Sequence, residues 1–225
     1  MKRKVVWLST ALVVFFLAGA VNASYIGTSG KGDAGMKREE WLKKELKGTE
    51  LYQKTLGVMG FGRIGAATAA RAAAFDMKIV AYDPFLSDDQ IRERGGDPVS
   101  MDELFAQTDV ITMHMPLTDG TRSLLNAAAF AKMKKGVLII CAARGGVIDE
   151  ADLLEALNSG QVAGAALDVF TKEPPEDYTL ASHPNVVATP HIGAQTKEGG
   201  QRAAYDIATE VVAALKGEDL RWRVA

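Results

Sequence analysis

The sequence predicts an α/β fold built on a doubly wound parallel sheet, and three observations carry that expectation. Short apolar runs of strand length alternate along the chain with segments of helical pattern. The run at 136–140 is apolar without interruption, so both faces of that strand must be covered, as they are in a parallel sheet between helices. A glycine loop of the form G-x-G-x-x-G, at Gly60, Gly62 and Gly65, joins the first strand of the alternation to its first helix.

The first 23 residues stand apart from that pattern. Lys2-Arg3-Lys4 is basic, residues 5–20 are almost wholly apolar, and Val21-Asn22-Ala23 offers small residues before Ser24. This is the pattern of a secretory signal peptide cleaved before Ser24. An uncleaved membrane anchor is a second reading of the same run, and a foreign segment joined at a gene boundary is a third. Residues 24–35 are polar and glycine-rich and read as a linker; 36–47, charged around Trp41 and Leu42, read as a surface helix ending near Gly48. A nucleotide-binding domain is then expected over 49–217, with a tail over 218–225.

Within that domain a strand at 55–59 runs into the glycine loop and an alanine-rich helix at 64–75, and a second strand at 78–82 ends at Asp83. A helix over 87–94 stops at Gly95-Gly96. Ser100 with Glu103 three residues on is a capping box for a helix over 101–107. A strand at 110–113, a helix at 126–133 and the strand at 136–140 follow. Then come a helix at 150–159 closed by Gly160, a strand at 162–169, a short strand at 185–188 and a long helix at 196–216.

Composition limits the partners. The 225 residues are 48% hydrophobic and 24% charged, with 26 basic and 28 acidic side chains and a net charge of −2. That balance gives no support to a nucleic-acid surface. One cysteine, Cys141, excludes an intrachain disulfide, and three widely spaced histidines with it make no metal site.

The glycine loop has a physical job at each glycine: Gly60 for the turn, Gly62 for close approach to a pyrophosphate, Gly65 for packing of helix on strand. The helix end then offers unpaired N–H groups to phosphate. Asp83, at the next strand end, suits the ribose hydroxyls of NAD and would repel the 2′-phosphate of NADP. Three later strand-end loops carry Arg144, Glu173 and His191. A guanidinium clamps a carboxylate through two hydrogen bonds, an imidazole accepts a hydroxyl proton near neutrality, and a carboxylate beside the ring orients it.

Taken together, Gly60-Phe61-Gly62-Arg63-Ile64-Gly65, Tyr82-Asp83-Pro84, His114-Met115-Pro116-Leu117-Thr118, Ala143-Arg144-Gly145-Gly146, Leu167-Asp168-Val169-Phe170, Glu173-Pro174-Pro175 and Pro190-His191-Ile192-Gly193-Ala194 resemble the D-isomer-specific 2-hydroxyacid dehydrogenases, in order and in spacing. The resemblance runs over about 36–218 and implies a Rossmann-type NAD-binding domain. It implies a catalytic trio of Arg144, Glu173 and His191. It implies cofactor contacts at Gly60, Gly62, Arg63, Ile64, Gly65, Asp83, Met115, Pro116, Ala142, Ala143, Arg144, Asp168, His191, Gly193 and Ala194, with Asp168 on the nicotinamide amide. A small 2-hydroxy or 2-oxo acid is the implied substrate and a homodimer through this domain the implied assembly. The family argues for the cytoplasm, whereas the N-terminal segment argues for export, or for a membrane reached through that segment alone.

Two departures stand out. Cys141 occupies a position where the family usually has asparagine, and a thiol cannot replace an amide's paired donor and acceptor. The family's substrate domain, built mainly from residues before the nucleotide-binding domain, is expected to be missing here. Three functions follow from the sequence: an NAD-dependent dehydrogenase, a non-catalytic NAD-binding module, and an interaction protein that uses only a dimer surface.

Overall fold

The computed structural model describes residues 28–46 and 48–221; the signal-like segment at 1–23 lies outside them. The described residues fall into two units that divide between Gly193 and Ala194. The first holds α1 (Thr28–Lys37), β1 (Thr55–Met59), α2 (Arg63–Ala73), β2 (Lys78–Tyr82), α3 (Asp88–Glu93), β3 (Asp97–Pro98), α4 (Met101–Gln107), β4 (Val110–Met113), α5 (Ala127–Ala131), β5 (Val137–Cys141), α6 (Glu150–Asn158), β6 (Val162–Leu167) and β7 (Val186–Ala188). The second is built on α7 (Lys197–Leu215), whose N-cap Thr196 accepts the Gly199 N–H at 3.0 Å.

The seven strands form one sheet in the order β3-β2-β1-β4-β5-β6-β7, and every pairing is parallel. The chain winds outward from β1 to β3 on one side, then returns to β4 and winds outward the other way. The reversal between β1 and β4 is the topological switch point, outside which ligands of such sheets bind. Period-two alternation explains why the strands are apolar throughout. Leu56, Val58, Val110, Ile140 and Ala166 face one core with Ala69 and Ala72 of α2 and Ile91 of α3. Met59, Ile111, Met113, Ile139, Ala165 and Leu167 face the other, with Leu104, Phe105, Phe130, Leu153 and Leu157 from α4, α5 and α6.

Helix ends follow local chemistry. The capping box at Ser100 and Glu103 forms, with Glu103 N–H donating to Ser100 Oγ and Ser100 N–H to Glu103 Oε2. Ser87 and Gln90 make a second one for α3.

Two readings of the sequence are corrected. The helix expected at 36–47 forms instead over Thr28–Lys37, in the stretch read as a linker. The chain turns at Glu39, whose φ is 64°, and Leu42 then lies against Gly35 and Leu46 against Gly32, contacts that the local sequence does not announce. The strand β3 was missed because it has only two residues, one of them proline. Among the described residues no helix is long and apolar enough to cross a membrane, and no group of three His, Cys, Asp or Glu could hold a metal ion.

Candidate functional site: a cofactor edge and a histidine–carboxylate pair

Parallel pairing carries every loop named from the sequence to the same edge of the sheet, because all strands end there. At the end of β1, Gly60 turns the chain with φ 85° and donates its N–H to Tyr82 O at 2.9 Å. The next residue is held at both of its peptide groups. Phe61 N–H donates to Asp83 Oδ2 at 2.8 Å, and Phe61 O accepts from Arg94 Nη1 at 2.7 Å. Arg94 had no visible role in the sequence, since nothing in its spacing marks a contact 33 residues away. Asp83 also accepts Phe85 N–H through Oδ1 at 2.9 Å. A carboxylate has about four acceptor positions, so two remain for ribose hydroxyls.

The glycines test whether a dinucleotide fits. A Cβ built on Gly65 would stand 2.1 Å from Gly60 O, so helix α2 can seat against the turn only with glycine there. A Cβ on Gly62 would meet no protein atom within 4 Å. No packing inside the unit therefore requires Gly62 to lack a side chain, whereas a pyrophosphate approaching the helix end does. Gly62 is also the N-cap of α2 and supplies no side-chain cap, so no side chain of its own stands between a phosphate and that helix end. Ile64 is exposed at that same end, while Met115 is buried beside the loop after β4. The residues present fit NAD.

The two glycines give a paired expectation. Gly62→Ala keeps an unstrained extended backbone (φ −67°, ψ −161°) and should melt with the parent, yet bind NADH at least ~tenfold more weakly, a difference of ~1.4 kcal/mol. Gly65→Ala should lower Tm by ~2–12 °C, the range that ~1–3 kcal/mol of overpacking produces in a domain of this size. A Gly62→Ala protein that bound NADH as well as the parent would remove the pyrophosphate from this loop. Fluorescence titration and thermal melting read the two effects.

The catalytic candidates come from the loops after β5, β6 and β7. Arg144 is exposed and donates from Nη1 to Ala143 O at 2.6 Å. Glu173 Oε2 lies 2.7 Å from His191 Nδ1, and Glu173 Oε1 accepts Phe170 N–H at 3.1 Å. Partial burial opposes ionisation of Glu173, but the hydrogen bonds from His191 and Phe170 and the nearby His191 and Arg144 charges outweigh it and hold its carboxyl below the usual range. Glu173 is therefore an anion near neutral pH, and the proton on the shared bond belongs to His191 Nδ1. Nε2 is left as the ring's free acceptor.

His191 has a left-handed backbone, φ 52°, which few non-glycine residues adopt. Asp168 holds it there. Its backbone O accepts His191 N–H at 2.8 Å. Its carboxylate accepts Thr189 Oγ1–H at 2.6 Å, Ile192 N–H at 2.8 Å and Gly193 N–H at 2.8 Å. Asp168 is 1% exposed, so the acid read from the sequence as a cofactor contact is first the anchor of the histidine loop. Ala194 opens the second unit. Cys141 is buried at the end of β5, its pKa pushed up to about 11 by burial, and its thiol lies 3.8 Å from Arg144 O. His114, pushed down to about 4 by burial, places Nε2 3.1 Å from Thr112 Oγ1.

A doubly wound sheet whose switch point carries an uncapped glycine-loop helix defines a dinucleotide-binding α/β domain. The model of one family, described as "D-isomer specific 2-hydroxyacid dehydrogenase, NAD binding domain", matches residues 26–193, and the chain belongs to that family through its NAD-binding domain. D-3-phosphoglycerate dehydrogenase of Rattus norvegicus is 49% identical over 187 residues, 83% of this chain and 35% of that protein. The chain thus spans about a third of the length of the curated relatives it matches. A crystal structure of a glyoxylate reductase from Paecilomyes thermophila superposes with a TM-score of 0.87 at 35% identity, over 96% of this chain and 65% of that one. D-lactate dehydrogenase with NAD+ from Lactobacillus jensenii gives 0.84 at 27% identity, over 100% and 70%.

Proposed function

We propose that this chain serves NAD-dependent oxidation of a D-2-hydroxy acid to the 2-oxo acid, with 3-phosphoglycerate as the substrate. The observation that carries the reaction class is the 2.7 Å Glu173–His191 pair on the sheet edge that also bears the glycine loop and Arg144. The choice of 3-phosphoglycerate is supported by half-identity to proteins named for that activity. NAD, when bound, supplies the acceptor for the hydride. Arg144 clamps the substrate carboxylate and thereby orients the reacting carbon. His191 Nε2 takes the hydroxyl proton, and the anion of Glu173 stabilises the imidazolium that results. We further propose that the chain dimerises through this domain, as light scattering of the purified protein would show.

Turnover of 3-phosphoglycerate with NAD, followed at 340 nm, tests the reading; D-lactate and glyoxylate in the two directions are the comparison substrates. A non-catalytic NAD-binding module is the second reading. It is favoured by the exposure of the pair, whose side chains are 48% and 37% accessible. NADH binding without turnover of any of the three substrates, in a protein completed with a substrate domain, would select it.

Cofactor choice adds a further expectation. A 2′-phosphate at Asp83 would meet a carboxylate at short range, so NADH should bind at least ~tenfold more tightly than NADPH, which takes only ~1.4 kcal/mol. Equal affinities in parallel titrations would show that Asp83 does not face the ribose.

A further inference from the structure

The loops that carry Arg144 and Glu173 touch at two places. At Gly145 a Cβ would stand 1.8 Å from Phe170 O and 2.7 Å from Thr171 N, so the two backbones lie directly against each other. Five residues on, Glu150 Oε1 accepts Thr171 N–H at 2.6 Å, across 21 residues of sequence. Glu150 opens helix α6, but capping that helix is the work of Asp149, which accepts Asp152 N–H at 3.1 Å. The Glu150 carboxylate instead reaches outward to a neighbouring loop, in a charge-assisted bond of the stronger kind.

We propose that Glu150 is a positioning residue for the reaction: by holding Thr171 it fixes the turn from which Glu173 reaches His191, and so sets the histidine–carboxylate pair against the arginine loop. The inference rests on the reading of Arg144, Glu173 and His191 as the reacting trio. Thr171 stands between Phe170, whose N–H binds Glu173 Oε1, and Glu173. On the far side the turn is tied through Asp168 to the histidine loop. With the Glu150 bond removed, Phe170 still packs in the core and against Gly145, but Thr171 N–H loses its acceptor and the 171–173 segment loses that tie. Glu173 then has freedom to leave both Phe170 N–H and His191 Nδ1. Arg144, one residue before Gly145, shares the same clasp, so one acid links the group that grips the substrate with the groups that move its proton.

The test is a carbon-13 titration of the Glu173 carboxyl in the purified chain, its resonance assigned by its loss in Glu173→Gln. The charged groups facing Glu173 are His191 and Arg144, and both hold its titration low. Charge and position predict opposite signs. Removing the Glu150 anion by itself eases ionisation of Glu173 and moves its midpoint down; losing the clasp loosens the His191 contact and moves it up. Glu150→Ala is expected to raise the midpoint by ~0.5 units or more, part of the ~1–3 units that an adjacent opposite charge supplies. Glu150→Gln keeps an oxygen for Thr171 N–H and is expected to leave the midpoint unchanged or slightly lower. The Thr171 amide resonance should move upfield in Glu150→Ala. If that protein does not fold, Glu150→Asp, one methylene short of reach with the charge kept, should show the same upward shift. An unmoved or lowered midpoint in the alanine or aspartate variant, or an equal rise in the glutamine variant, overturns the proposal. No substrate enters the measurement, so a chain inert as a dehydrogenase can still pass it, and an active one can still fail it.

Discussion

Replacing His191 by alanine in this domain joined to a substrate domain is expected to lower kcat by ~10²–10⁴-fold, the usual worth of a positioned acid–base group. The geometry makes the loss specific to chemistry. Nδ1 is committed to Glu173 at 2.7 Å, so Nε2 is the nitrogen left to take the hydroxyl proton, and alanine leaves nothing in its place. Most of the cofactor elements are elsewhere: the glycine loop follows β1 and Asp83 follows β2, at the other side of the switch point. NADH affinity should therefore stay within ~threefold of the parent, under ~0.7 kcal/mol. Glu173→Gln should cost less than His191→Ala, because a neutral amide still orients the ring but no longer stabilises the imidazolium. Oxidation needs the ring neutral at the start and reduction needs it protonated. Full kcat in His191→Ala would place the proton transfer on another group.

The order of strands and helices was legible because hydrophobic period is a local property. The runs at 55–59, 78–82 and 110–113 and the helix at 101–107 have the limits expected of them. The glycine loop was legible for a different reason: its three glycines fall within six residues of chain in a fixed spacing, although only Gly65 answers a demand from inside the loop, while Gly60 is crowded by His114 and Gly62 meets no protein atom. What escaped were interactions set by tertiary neighbours. Arg94 on Phe61 O, Glu150 on Thr171 N–H and Asp168 on the Ile192 and Gly193 amides join segments 21 to 33 residues apart, and no periodicity records them. Asp168 is instructive. Its position after β6 was read from the sequence, but its hold on the histidine loop follows only once β7 is known to pair beside β6. The helix over Thr28–Lys37 escaped for the reverse reason. Its glycines argue against a helix locally, and the contact of Leu42 with Gly35 that accompanies it lies beyond the helix itself.

The 225-residue chain itself is expected to bind NADH measurably and to oxidise 3-phosphoglycerate at least ~10³-fold more slowly than relatives of full length, a deficit of ~4 kcal/mol in the barrier. Binding and turnover separate because they draw on different parts of the structure. The glycine loop is preset by the Phe61 clamp between Asp83 and Arg94, and none of those three residues lies near the histidine pair in the sheet order. Hydride transfer asks for more: the reacting carbon held ~3–3.5 Å from the nicotinamide, with water kept out. Beside His191 and Glu173 lies a cavity of about 370 Å³ with Phe170, Pro174, Tyr178 and Pro190 in its lining, and the two reacting side chains are 48% and 37% exposed. Arg144 is exposed as well, so a carboxylate–guanidinium clamp formed there would be screened by solvent. Orientation can supply ~7–11 kcal/mol, and forfeiting ~4 of it is a moderate loss for a one-walled site. One purified sample decides the matter by NADH titration followed by initial rates with NAD and 3-phosphoglycerate at pH 8 to 9. Turnover at the level of full-length relatives would mean that the exposed pair needs no second wall. A folded sample that fails to bind NADH would mean that the preset glycine loop is not sufficient to hold the cofactor.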